Sequence, residues 1–225
     1  MTAGTELRQE HFADHRSLPP LDHLSRAALY CTVWRFGLYH PLDQVAVFRQ
    51  ADMNGPLPYD DDYFDAVVSI DGIEHIERPF DFIRQCARIL RNQGWLILST
   101  PNVSSLRSRW RWFLTGFHNK CKSPLDETRP EPRHHIGMLS FPEARYLLHG
   151  NGFRITEIRT NRIKAISWCF AAVAPVAYVA TSWVFAREET DRSQRRRNRE
   201  ILAQMFSLPV LFGETMILAA RCEKG

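Results

Sequence analysis

Apolar and polar positions alternate along the chain in two rhythms, and the rhythm switches at Gly- and Pro-containing breaks. Over residues 21–39, Leu21, Leu24, Ala28, Leu29, Val33 and Phe36 recur mostly at steps of three and four, which predicts an amphipathic helix ending near Gly37. A short apolar run at 45–48 reads as a strand, closed by the turn-rich stretch 51–56. The continuous run FDAVVSI at 64–70 is the pattern of a strand buried on both faces of a parallel sheet. Pro79 then opens a helix with Phe80, Ile83, Ala87 and Leu90 on one face, and Asn92-Gln93-Gly94 breaks it before a second buried strand, WLILST, at 95–100. Strand, helix and strand make a βαβ unit, whose crossover is right-handed in nearly all sheets.

Downstream, Ser140 and Glu143 form a capping box that starts a helix over 140–148, and Gly150-Asn151-Gly152 ends it. A third strand is predicted over 153–158 and a last one over 214–222. Helices and strands alternate throughout, so the fold class is α/β with a largely parallel sheet.

Two stretches stand outside that rhythm. Residues 165–186 hold no charge, enough to span a bilayer in length, with Trp168, Tyr178 and Trp183 suited to an interface. A single crossing would strand the last β-segment on the wrong side, so an in-plane or re-entrant hairpin turning near Pro175 is expected. The stretch after it, 187–200, carries six arginines against four acidic residues. In 106–117, Leu106, Trp110, Phe113, Leu114 and Phe117 share a helical face beside Arg107, Arg109 and Arg111, the pattern of a basic interfacial helix. An apolar lid on the protein's own core, or an oligomer interface, accounts for the same pattern.

Several motifs recur in a fixed order. Asp52 closes the strand at 45–48, and the Leu57–Asp60 loop reads Leu-Pro-Tyr-Asp. Phe64-Asp65 opens the next strand, Ile73-Glu74-His75-Ile76 follows it, and Ser99-Thr100-Pro101-Asn102 ends the one after. Over residues 45–160 and again at 214–222, this set resembles the second half of a class I S-adenosylmethionine-dependent methyltransferase of the small-molecule, sugar and lipid subfamily. The resemblance implies a Rossmann-like sheet of strand order 3-2-1-4-5-7-6, with a hydrophobic helical insertion before the last strand. It divides the chain into a helical segment at 1–44, a core at 45–162, the insertion at 163–213 and the last strand at 214–225.

For the cofactor, S-adenosylmethionine, the resemblance implies that Asp52 accepts from the adenine amine and Met53 offers a backbone N–H. Ile70, Asp71 and Gly72 line the cofactor where open α/β sheets bind ligands, at the carboxyl ends of their strands. The family's GxGxG turn and the acidic residue of its second strand lack counterparts here: the stretch ahead offers only Ala3-Gly4-Thr5-Glu6-Leu7. The sheet is therefore expected to be incomplete in its N-terminal half, with an open edge on the 64–70 strand. A start upstream of Met1, a homo- or hetero-oligomeric partner over that edge, or a lost cofactor cradle each accounts for this.

Asp71, Glu74 and His75 form a DxxEH pattern that resembles the ExxEH of methyltransferases in which two carboxylates and a histidine hold a divalent metal such as Mg²⁺. His134 and His135 fall where those families supply a further histidine. The same resemblance makes His75 and His135 the catalytic candidates, as general bases toward an oxygen nucleophile.

Composition narrows the partners. Lys and Arg total 29 against 25 for Asp and Glu, a net charge of +4, which argues against nucleic acid. Cys31, Cys86, Cys121, Cys169 and Cys222 are scattered and odd in number, which fits a reducing cytoplasm. The first twenty residues contain no apolar run, which points away from a cleaved secretory signal. The expectation is a methyltransferase-like protein, peripheral at the inner membrane, that methylates a hydroxyl of a lipid-linked, glycan or isoprenoid-like acceptor. The alternative is a non-catalytic subunit of the same fold that scaffolds or stabilises a partner.

Overall fold

The computed structural model describes the backbone of residues 29–31, and residues 51–225 apart from 122, 130, 132, 133 and 190. The β-branched run forms β2 (Phe64–Ile70) with the bounds its pattern predicts, and Ala66, Val67 and Ser69 are buried. Its neighbours are β1 (Leu29–Cys31) and β3 (Leu90–Pro101), both parallel to it. β1 corrects the helix expected over 21–39: its three residues pair with Val67, Val68 and Ser69. Edge satisfaction overrides local periodicity there, because β2 offers a row of backbone groups that a helix could not pair. The edge of β2 expected to be open is thus paired over this length. The rest of that stretch and the strand expected at 45–48 lie outside the described residues.

Between β2 and β3 runs α1 (Pro79–Ile89), with proline in its first turn. Its buried face is Phe82, Ile83, Cys86 and Ile89, whereas Phe80, expected on that face, is exposed against the ring of Tyr146. β3 begins earlier than predicted, directly off α1 at Leu90. Gln93 takes a positive φ of 63°, and a Cβ on Gly94 would come 2.9 Å from the Arg91 carbonyl oxygen, so Asn92-Gln93-Gly94 kinks a strand instead of ending a helix.

α2 (Leu106–Thr115) follows β3 and stops at Gly116, whose φ of 72° is the left-handed cap. α3 (Phe141–His149) opens with the predicted Ser140–Glu143 capping box and leads into β4 (Phe153–Arg159). A 3-10 segment (Ala165–Val173), α4 (Ala174–Glu188), α5 (Arg192–Met205) and α6 (Leu208–Phe212) form the insertion before β5 (Thr215–Cys222). Pro175 does not turn a hairpin: it sits in the first turn of α4, where its missing N–H costs nothing, and the reversal falls between α4 and α5.

Among the described residues the sheet has five strands in the order β1-β2-β3-β5-β4. β5 runs antiparallel to both β3 and β4, so the sheet is mixed, where a largely parallel one was expected. β2, β3, β5 and β4 reproduce the 4-5-7-6 half of the expected order, and β1 holds the place beside strand 4. The fold is a Rossmann-like α/β sheet, incomplete over the described residues, with its helical insertion before the last strand. One core joins α1, α3 and the sheet through Phe82, Leu96, Leu98, Phe141, Leu147 and Leu218. A smaller cluster of Leu106, Leu211 and Phe212 seats the insertion.

Candidate functional site

The site grows from the C-terminal end of β2. Ile70 is 44% exposed there, and the chain turns at Asp71 with a φ of 45°, a left-handed conformation uncommon for non-glycine residues and best tolerated by Asp and Asn. Ser99, at the end of β3, holds it. The Asp71 N–H donates to the Ser99 carbonyl oxygen and to Ser99 Oγ, both at 3.1 Å, and Ser99 Oγ donates to Asp71 Oδ1 at 2.8 Å. Buried Gly72 then leads into a single 3-10 turn, Ile73–His75.

That turn sends Glu74 inward and His75 along the surface. Glu74 is fully buried: Thr100 Oγ1 donates to its Oε2 at 3.2 Å, and its Oε1 has no hydrogen-bond partner. Burial pushes its carboxyl up to about 7, and the nearby charge of Asp71 adds to that, against hydrogen bonds that lower it. His75 Nδ1 lies 3.1 Å from the carbonyl oxygen of His134. A carbonyl can only accept, so Nδ1 carries the proton and Nε2 presents a lone pair.

The loop ahead of α3 closes over this turn. The N–H of Gly137 donates to the Glu74 carbonyl oxygen at 2.9 Å, which sets the His135 ring edge-to-face on His75 with centroids 4.7 Å apart. Burial, and then the neighbouring His75, push the His135 imidazole below its ordinary value. One potential ligand atom from each of Glu74, His75 and His135 lies within 4.8 Å of the others. Asp71 is not part of that trio, and one oxygen of its carboxylate accepts from Ser99 Oγ. The set is therefore one carboxylate and two imidazoles, which suits a transition metal and not the all-oxygen shell of Mg²⁺. The ligand set of Asp71, Glu74 and His75 expected for Mg²⁺ does not fit, because the atoms brought together are those of Glu74, His75 and His135.

The loop carrying Asp52 docks on the segment after the turn. Asn54 Oδ1 accepts from the N–H groups of Glu77 and Arg78 at 2.9 and 3.2 Å, and Asp52 Oδ1 accepts from the Asn54 N–H at 2.9 Å. Arg88 fixes the next part of the loop through the carbonyl oxygens of Leu57 and Tyr59. Asp52 is left exposed and Met53 buried in the core. An exposed acceptor carboxylate on a held loop thus stands on the chain together with a buried glycine at the end of β2.

Sequence reasoning missed the basic neighbourhood of this site. The charge of Lys120 reaches both Glu74 and His135, and its Nζ lies 3.7 Å from Glu214, which also meets Arg162 at 2.5 Å and Lys164 at 2.7 Å. Burial alone would raise the Glu214 carboxyl, but hydrogen bonds from Lys164 and Arg162 outweigh it and hold the group at about 2. A cavity of about 30 Å³ beside them, lined in part by Asn102, Arg107 and Asn119, has room for water. Ser99 and Thr100 were visible as the Ser-Thr-Pro-Asn strand end, whereas nothing in the sequence around Lys120 marks it.

Residues 36–98 match the family described as "Methyltransferase domain". Probable S-adenosylmethionine-dependent methyltransferases from two Mycobacterium tuberculosis strains, CDC 1551 / Oshkosh and H37Rv, are each 48% identical over 46 residues, 20% of this chain and 17% of the relative. The chain thus spans less than a fifth of the relatives it matches. Among solved structures, an S-adenosylmethionine-dependent methyltransferase from Archaeoglobus fulgidus aligns with a TM-score of 0.37 at 18% identity, over 72% of this chain and 61% of that one. One from Mesorhizobium loti gives 0.36 at 14%, over 77% and 68%. The likeness to a methyltransferase domain thus lies in residues 36–98 of this chain.

Proposed function

We propose that the chain is an S-adenosylmethionine-dependent methyltransferase that acts on a hydroxyl of a small acceptor, with Asp52, the Met53 backbone, Ile70, Asp71 and Gly72 holding the cofactor. One observation carries the reading: the Glu74, His75 and His135 cluster stands directly after the Asp71-Gly72 strand end, where this sheet type binds ligands. When bound, S-adenosylmethionine supplies an electrophilic methyl group.

The chain's own residues then manage the proton of the acceptor. With Nδ1 held on the His134 carbonyl oxygen, His75 takes the hydroxyl proton at Nε2. His135, kept neutral by burial, lets the resulting imidazolium form without a second positive charge against it. Glu74, the buried carboxyl of the trio, stands beside that imidazolium and offers it an anionic partner only as pH rises above about 7, because burial holds its proton below that.

The exposed apolar insertion supports the finer part of the reading, a lipid-linked, glycan or isoprenoid-like acceptor met at a membrane surface by a cytoplasmic, peripheral protein. Calorimetric titration of the 225-residue chain with S-adenosylhomocysteine tests the first part before any acceptor is known. Micromolar binding is expected. A folded chain that binds neither S-adenosylhomocysteine nor S-adenosylmethionine overturns the catalytic reading in favour of a non-catalytic subunit.

A further inference from the structure

Ala165–Glu188 is one helical run of 24 residues, long and apolar enough to span a bilayer, and α4 within it has no buried residue. Its outward face is specific: Val176, Val179 and Trp183, at helical steps of three and four, are 69, 67 and 60% exposed. The neighbouring α2 adds Phe113 at 73%. The two elements are contiguous, because α2 packs on the 165–173 segment and Trp110 meets the ring of Phe170. Such a contiguous apolar surface is unusual on a chain that meets only water.

The fold decides how that surface can meet lipid. Both ends of the insertion are tied to the same region of the sheet: Ile163 bridges Gly213, and the Glu214 N–H donates to the Arg162 carbonyl oxygen at 3.1 Å. α5 packs back along α4 and α6 and also against α3 of the core, and it holds Arg192, Arg195, Arg196, Arg197 and Arg199. A crossing α4 would drag this arginine-rich helix into hydrocarbon, at a prohibitive cost in desolvated charge. The helix must therefore lie flat, with its outer face down and its cations at headgroup level. The guanidinium of Arg187 already stands over the Trp183 ring, 5.2 Å from its centroid, the pairing of cation and aromatic that suits an interface.

We infer that α4 and α2 form an in-plane docking face for an anionic phospholipid surface, with the apolar side chains entering the acyl boundary and the arginines of α5 binding the headgroups. The inference deepens the membrane-surface part of the proposed function and rests on that reading only there, since docking needs neither cofactor nor acceptor.

The test is flotation of the full chain with vesicles of phosphatidylcholine alone and of phosphatidylcholine mixed with phosphatidylglycerol, at low and high salt. Binding to the mixed vesicles is expected, falling at least about tenfold in high salt and on neutral vesicles. The double variant Val176→Glu/Val179→Glu, and separately the milder Trp183→Ser, should weaken it by a similar factor with an unchanged circular dichroism spectrum. Protein that stays at the bottom of every gradient overturns the inference, as does equal binding to neutral vesicles or full binding by both variants. Quenching of tryptophan emission by lipids brominated near the headgroup supports the flat orientation, whereas quenching only by lipids brominated at the chain end overturns it. Cofactor titration of the same preparation reads the catalytic proposal separately, so failure of one is not failure of the other.

Discussion

The ring of His135 packs edge-to-face on that of His75 at 4.7 Å, and the loop between them hangs on the Gly137 N–H bond to the Glu74 carbonyl oxygen. The two rings are not equivalent. The Nδ1 of His75 is tied to a backbone carbonyl oxygen, which leaves Nε2 as the base, while His135 is held neutral beside it. His75→Gln should therefore lower kcat about 10²- to 10³-fold with unchanged affinity for S-adenosylhomocysteine. His135→Gln should cost about tenfold, because the ring packed edge-to-face on His75 holds it in place. Equal kcat for wild type and His75→Gln across pH would remove His75 from the chemistry.

Glu74 makes the fold more stable in mild acid. Its folded carboxyl titrates near 7 against an ordinary value of 4.5, so between those values the native state holds a proton that the unfolded chain has lost. Stability from this group is complete below about 4.5 and is lost as pH rises through 7, by up to about 3 kcal/mol. Glu74→Gln, which stays neutral, should erase that slope. Urea denaturation at pH 5 and pH 8 reads it as a variant more stable than wild type at pH 8 and nearly equal to it at pH 5.

How much of this was legible in the sequence depends on how local the cause was. β2, the bulk of α1 and the Ser140–Glu143 cap were readable because a β-branched run, a proline-opened periodic stretch and a capping box each act over a few residues. The antiparallel setting of β5 and the strand at Leu29–Cys31 were not, since pairing is decided by which edges remain to be satisfied. Likewise, Glu74 and His75 were marked by their motif, but the replacement of Asp71 by His135 in the trio depends on Gly137, a partner remote in sequence. Lys120 and the salt-bridge hub at Glu214 are wholly tertiary.

That hub has the opposite pH sense to Glu74. Lys120, Arg162 and Lys164 surround Glu214, whose folded carboxyl stands at about 2. Its contribution is present above its ordinary value of 4.5 and is lost as pH falls toward 2. Because its cationic partners are partly exposed, screening reduces the gain, and Glu214→Gln should cost about 2 kcal/mol at pH 7. Chemical denaturation should find the deficit shrinking steadily from pH 5 to pH 3, and reduced at high salt.

Asn102 ties the end of β3 to the insertion. Its Nδ2 donates to the carbonyl oxygens of Pro209, Val210 and Gly213 at 3.1, 2.9 and 3.0 Å, and its backbone N–H donates to the Glu214 carbonyl oxygen. Asn102→Ala leaves buried acceptors without a donor and should destabilise the fold by about 3 kcal/mol. Asn102→Asp should be worse, because a carboxylate meets the same carbonyl oxygens with repulsion. Hydrogen exchange should place the loss in α6 and the start of β5 before the rest of the sheet opens.

Asp52 and Asn54 separate cofactor binding from loop docking. Asn54 holds the loop to Glu77 and Arg78, whereas the Asp52 carboxylate is exposed and spends one oxygen on the Asn54 N–H. Asp52→Ala should then weaken S-adenosylhomocysteine about tenfold, the worth of a single charge-assisted hydrogen bond, while thermal stability changes little. Asn54→Ala releases two backbone donors, and should lower stability by about 1 kcal/mol and affinity through looser positioning of Asp52. Calorimetry paired with thermal melts distinguishes the two. If Asp52→Ala lowers the melting temperature as much as Asn54→Ala and leaves affinity intact, the carboxylate is a structural cap of its own loop and the adenine contact belongs elsewhere.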